Sequence, residues 1–182
     1  METDLKKIKQ LGEERDRENW EFRSFLKFVD LEPKELDSMV HEIYRDVSSQ
    51  IDCTKCANCC KEMKPILSQK DINNFATGID VSAEDFKDHQ IENGDNPYEY
   101  YFNKKPCPFL KENLCTNYDY RPEDCRSFPH LDKSEFTTRL WTVVENYSIC
   151  PIVFNVYEIL KSRLWRNRDN DLYDDFDEFD EI

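Results

Sequence analysis

Eight cysteines lie between Cys53 and Cys150, and four of them fall within eight residues as Cys53-Thr-Lys-Cys56-Ala-Asn-Cys59-Cys60. A two-residue gap lets a short loop curl so that successive thiolates converge on one centre. Adjacent Cys59 and Cys60 point in different directions, so they suit two centres better than one. The other four are Cys107, Cys115, Cys125 and Cys150, and two of these, Cys107 and Cys150, precede proline. Scattered core cysteines would not segregate in this way. In a reducing compartment structural disulfides are rare, and clustered thiols bind metal or do redox work. The candidate ligands are therefore Cys53, Cys56, Cys59, Cys60, Cys107, Cys115, Cys125 and Cys150, and the metal is zinc or an iron–sulfur cluster.

Three thiolates at C-x-x-C-x-x-C spacing resemble part of a bacterial ferredoxin ligand run, which a remote Cys-Pro completes. That spacing predicts one centre built from Cys53, Cys56 and Cys59 with one Cys-Pro thiolate. Zinc would equally accept four of these sulfurs in a tetrahedral site. The second half of the pattern reads Cys107-Pro-Phe-Leu, Cys115-Thr-Asn-Tyr118, Arg121-Pro122 and Cys125-Arg126-Ser-Phe128-Pro129. With both runs present in order, the chain resembles the zinc- or iron-chelating CxxCxxCC proteins, also called the YkgJ-like cysteine-cluster family. The likeness covers about residues 51–151. It implies metal or iron–sulfur binding in a mostly cytoplasmic family whose members largely lack an assigned reaction. Flagellin lysine-N-methylases share the cysteine pattern, which implies as an alternative a metal-dependent enzyme acting on a protein substrate. Two departures stand out. Where the family commonly has glycine near the third cysteine this chain has Ala57-Asn58, and where a glycine often precedes the cysteine at position 115 it has Asn113-Leu114. Asparagine tolerates a positive φ, so Asn58 is expected to make the first turn.

Around these thiols, Arg121 and Arg126 are expected either as surface charge or as cations that offset an anionic centre. Tyr118 and Phe128 are expected to pack around it. His130 could replace a ligand, whereas His41 and His89 sit on or near helices without a role. The sequence presents no Ser-His-Asp set, no HExxH run and no glycine-rich phosphate loop. With only three glycines, a nucleotide-binding turn is nearly excluded.

The elements that must position this chemistry are mostly helical. Charged residues make up 35% of the chain and apolar ones 38%, while twelve Phe, nine Tyr and three Trp argue for a packed core. A chain of 182 residues buries roughly 70% of its unfolded surface, enough for one domain without disulfides. Leu5, Ile8 and Leu11, then Trp20, Phe22, Phe25, Leu26 and Val29, predict one charged helix from Thr3 to about Val29. Pro33 opens a second to about Ser49. The stretch from Cys53 to Cys60 reads as loop. Ser68 with Asp71 and Ser82 with Asp85 are helix-opening boxes. Residues 106–131 read as irregular, and Phe136–Tyr147 as one or two short strands. Pro151 opens a last helix to about Arg166.

The fold expected is a helix-rich, irregular α+β domain, metal-stabilised, with flanking N- and C-terminal helices. Its parts are an N-terminal helical segment over 1–50, the cysteine domain with the C-terminal helix over 51–167, and an acidic tail over 168–182. The last fourteen residues hold eight acids interleaved with Phe176 and Phe179, which suits docking on a basic protein partner. A formal charge of −14 lowers the expectation of nucleic acid. The most apolar run, Cys150 to Leu160, is interrupted by Asn155 and Glu158 and is too short to span a membrane. The N-terminus lacks an apolar leader, so the expected location is the cytoplasm.

Overall fold

The computed structural model describes residues Met1–Arg166; the acidic tail, with its expected partner contacts, lies outside the described residues. The fold is α+β and helix-rich. Its described residues divide into two compact units, one of Met1–Ile51 with Leu131–Arg166, the other Asp52–His130.

In the first unit, α1 (Leu5–Glu14) is capped by Asp4, whose carboxylate accepts the N–H groups of Lys6 and Lys7. The single N-terminal helix expected from periodicity is interrupted at Arg15 (φ −106°, ψ 15°) and resumes as α2 (Asp16–Leu26). The apolar stripe of Leu5, Ile8 and Leu11 would continue through positions 15 and 18, and these hold Arg15 and Glu18. Both side chains join ion pairs to α10 (Pro151–Lys161) and the turn after it: Arg15 to Glu158 at 2.6 Å, Glu18 to Arg166 at 2.5 Å. Helix α3 (Pro33–Ser49) opens as expected at Pro33, with the Glu35 carboxylate accepting the Glu32 N–H at 3.2 Å.

Phe136–Tyr147 is not a pair of strands. It forms a 3-10 turn, Phe136–Arg139, and then α9 (Leu140–Tyr147). The β-branched residues suggested strand, but the buried positions Leu140, Val143, Val144 and Tyr147 follow i, i+3, i+4, i+7, and packing of that stripe overrides local propensity. The Asp37 carboxylate fixes the entry, accepting the N–H groups of Glu135 (2.8 Å) and Phe136 (2.9 Å). Helix α10 packs on α3 and α9 and closes the unit, its backbone continuing as a wider turn over Ser162–Arg166.

The second unit contains α4 (Cys53–Cys56), α5 (Asn58–Glu62), α6 (Gln69–Gly78), α7 (Ala83–Gln90), two hairpins and α8 (Glu123–Ser127). Both helix starts read from the sequence are present: Ser68 and Asp71 exchange bonds as a full box at the start of α6, whereas at the start of α7 Ser82 caps one way, accepting the Asp85 N–H at 3.0 Å. Strand β1 (Ile91–Asn93) pairs antiparallel with β2 (Tyr100–Phe102), and β3 (Leu110–Lys111) with β4 (Leu114–Cys115). The core is aromatic. Phe75, Phe86, Phe102 and Phe109 meet with ring centroids 4.6–6.4 Å apart, mostly edge-to-face or tilted, over Leu67 and Ile72. Among the described residues no helix is long and apolar enough to cross a membrane.

Gly78 shows how tightly this core meets the cysteine loops. A Cβ there would stand 2.2 Å from the Asn117 side-chain oxygen and 2.5 Å from the Tyr120 ring. Asn117 cannot easily yield, because it is buried and donates to the Phe75 carbonyl at 2.8 Å. Replacing a helical glycine by alanine ordinarily gains up to about 1 kcal/mol. Here overpacking dominates, and Gly78→Ala is expected to lower stability by roughly 1–3 kcal/mol. Denaturant titration checks this; a more stable variant would show that the turn can shift.

Candidate metal centre

The first cysteine run is ordered where loop was expected. Asp52 accepts the Thr54 N–H (3.0 Å) and hydroxyl (2.6 Å), winding Cys53–Cys56 into one turn that the Ala57 N–H closes on the Cys53 carbonyl at 2.9 Å. The chain then reverses at Ala57, in the left-handed region (φ 48°, ψ 19°), and restarts as α5. The positive φ falls on Ala57 and not on Asn58, at a cost of roughly 1 kcal/mol or more for a residue with a Cβ. Ala57 is buried, so its methyl group recovers part of that cost.

The second run is fastened to the first by backbone bonds. The Cys107 N–H donates to the Cys60 carbonyl at 2.9 Å. Strands β3 and β4 are joined by Glu112 and Asn113, both with positive φ (51° and 64°), a primed two-residue turn that twists with the strands. Asn113 also donates to the Lys55 carbonyl at 3.2 Å, tying this turn to the first run. Two carboxylates set α8, which carries Cys125. Asp71 accepts the Glu123 N–H at 3.0 Å, and Asp124 accepts the Ile66 N–H at 3.0 Å.

Six of the eight cysteines line one cavity of about 290 Å³: Cys53, Cys59, Cys60, Cys107, Cys115 and Cys125. Phe75, Phe102, Phe109 and Phe128 give it apolar walls, and Arg121, Asp124 and Arg126 also border it. Cys56 is half-buried beside them without lining the space, and its electrostatic neighbour is Cys53. Cys150 lies in the other unit, buried at the start of α10.

Burial pushes the Cys107 thiol up to about 11 and that of Cys125 further still, with neighbouring thiolate charge at Cys60 adding to both. Cys115 and Cys53 are raised as well, again mainly by burial. Cys60 moves the other way, to about 7, chiefly through its hydrogen bond with Cys59, helped by the charges of Arg121 and Lys61. Cys60 is thus the electrostatic hub shared by Cys107, Cys115 and Cys125. Soft sulfur donors of this kind select zinc, copper(I) or iron–sulfur clusters over hard cations. Among the described residues no three Cys, His, Asp or Glu side chains stand close enough together to hold a metal ion at once.

A Ser-His-Asp chain, which the sequence did not reveal, is also present. Ser127 Oγ lies 2.9 Å from His130 Nδ1, and His130 Nε2 lies 2.9 Å from Asp124 Oδ1. It acts as a brace. Ser127 Oγ is also 2.9 Å from the Glu123 carbonyl, and neither Ser127 nor His130 lines the cavity. With both ring nitrogens engaged, His130 is unsuited to replace a thiolate ligand. What it does is hold Asp124, and through Asp124 the turn of α8 beside Cys125.

A family model described as "CxxCxxCC: Putative zinc- or iron-chelating domain" matches residues 52–143. No curated protein and no solved structure was found to match the chain. The match begins at the cap of the first cysteine turn and takes in all seven cysteines of the second unit. The chain belongs to this CxxCxxCC family of zinc- or iron-chelating domains.

Proposed function

We propose that the chain is a metal-binding module whose centre, zinc or an iron–sulfur cluster, is held by the thiolates of Cys60, Cys107, Cys115 and Cys125. The observation that supports this most is that thiols from three separate segments face one cavity and each feels the charge of Cys60. Cys60 and Cys107 are further pinned by a direct backbone bond, and Cys125 by the carboxylates that set α8. Bound zinc would stitch the loops together, and a bound cluster could also exchange electrons. The chain's own contribution is to bring the sulfurs near one another, exclude water with four phenylalanines and supply cations at the rim. No observation favours a reaction on a protein substrate. The grouping of Cys53, Cys56 and Cys59 with a Cys-Pro thiolate is the competing assignment, and Cys53 and Cys59 do line the same cavity.

Single Cys→Ser substitutions separate the two. Cys60→Ser, Cys107→Ser, Cys115→Ser and Cys125→Ser are each expected to cut metal content at least about tenfold, since each removes one of four bonds. Cys56→Ser and Cys150→Ser are expected to retain it. Loss of metal in Cys53→Ser, Cys56→Ser and Cys59→Ser, with Cys60→Ser and Cys125→Ser still loaded, would reverse the assignment.

A further inference from the structure

Arg121 faces the thiol cavity from the turn between the Tyr118–Tyr120 3-10 segment and α8. Its guanidinium carbon lies 3.8 Å from the centre of the Tyr118 ring, a stacked cation–π arrangement. The neighbouring Arg126 is committed elsewhere, donating to the carbonyls of Arg121 and Asp119 at 2.9 Å. Asp124, the acid at the rim, accepts the Ile66 N–H and pairs with His130. The Arg121 guanidinium makes no hydrogen bond or ion pair to a carboxylate or carbonyl among the described residues, and the groups that feel its charge are Cys60 and Cys115. In a chain with a formal charge of −14, a cation that lines a sulfur-rich cavity and has no acidic partner among the described residues calls for explanation.

Four thiolates around a divalent ion, or around a dicationic cluster, leave a centre with two net negative charges. Apolar walls make that charge costly, because little water reaches it. We infer that Arg121 is the counter-charge of the thiolate centre, held over the cavity by Tyr118 and offsetting one of its negative charges. This inference rests on the metal-binding reading. The role is one of positioned charge, and Arg121 is not itself a ligand. Lysine supplies the same charge from a flexible stem, whereas methionine keeps much of the length without it.

The test is competition between the full-length protein and a chelator for zinc or ferrous iron, anaerobically and with thiols reduced, on wild type, Arg121→Met, Arg121→Lys and Tyr118→Ala. Arg121→Met is expected to bind about tenfold more weakly, the effect of one nearby charge at intermediate dielectric. Arg121→Lys is expected to stay within about threefold of wild type, Tyr118→Ala, whose arginine is no longer held over the cavity, to fall between wild type and Arg121→Met, and the Arg121→Met deficit to shrink as salt is raised. Wild-type affinity in Arg121→Met would overturn the inference while leaving the metal site standing. So would Arg121→Lys falling as low as Arg121→Met, because the side chain would then matter for packing and not for charge. Absence of binding by the wild type would overturn the site and the inference together.

Discussion

Stripping metal from the reduced protein is expected to unfold Asp52–His130 while leaving the helical unit folded. Beyond α6 and α7, the cysteine unit has only short hydrogen-bonded elements: two hairpins of two or three residues per strand, and three helices of four or five residues. Its apolar core is a cluster on α6, α7 and β2, and α4, α5 and α8 have no fully buried residue of their own. Structural zinc contributes apparent binding energies of roughly 10–16 kcal/mol in small domains, and in such a domain this becomes folding energy. The other unit is built differently, with Ile8, Phe22, Val40, Tyr147, Tyr157 and Leu160 all at 1% exposure or less. Hydrogen exchange on the chelated protein reads the two units separately. Equal protection of Asp52–His130 with and without metal would mean that the aromatic core alone carries this unit.

Glu158→Ala is expected to destabilise the helical unit by about 3 kcal/mol, lowering its melting temperature by roughly 12–24 °C. Glu158 accepts from Arg15 at 2.6 Å, from the Tyr147 hydroxyl at 2.8 Å and from Lys161 at 2.9 Å. Lys161 is fully buried, with the rings of Tyr147 and Tyr157 5.1 and 5.6 Å away. Among the described residues, losing Glu158 leaves that ammonium only Glu18, at 3.4 Å. Unpairing a buried charge costs more than the intact pair contributes, which is why the expected loss is large. Burial opposes the Glu158 charge, but its bonds from Lys161 and Tyr147 and the Arg15 charge outweigh burial and hold its carboxyl below the usual range. A carboxyl lowered on folding stabilises above its ordinary value, and that contribution fades as pH falls through the depressed one. The gap between wild type and variant should therefore be full at neutral pH and narrow in acid. Thermal unfolding at several pH values measures it, and a gap independent of pH would point to lost packing in place of lost charge.

Where local chemistry alone sets an element, the sequence was legible. Proline at Pro33 and Pro151 opens helices through its preset φ and missing donor, and Ser68 and Ser82 do so by accepting the N–H three residues on. What escaped depends on distant partners. The break at Arg15 coincides with an ion pair to a helix more than a hundred residues away, and α9 follows from a stripe whose burial outweighs β-branched propensity. Glu158 read as an interruption of an apolar run; in the fold it is the partner of a buried lysine. At the site, residue types named the cysteines and spacing suggested one grouping of them. Spacing could not show that the Cys107 N–H meets the Cys60 carbonyl, or that Asp71 and Asp124 fix α8. Ala57 and Glu112 carried no turn signal, because residues with a Cβ occupy the left-handed region only under tertiary constraint.

The central claim is that this chain holds a metal through its clustered thiolates. Purifying the full-length protein anaerobically and quantifying zinc, iron and acid-labile sulfide per chain, with an absorption spectrum of the same sample, tests it most directly. The expected result is stoichiometric zinc in a colourless protein, or iron with matching sulfide in a brown one. Protein that carries neither, and takes up neither when zinc or ferrous iron with sulfide is supplied under reducing conditions, would contradict it.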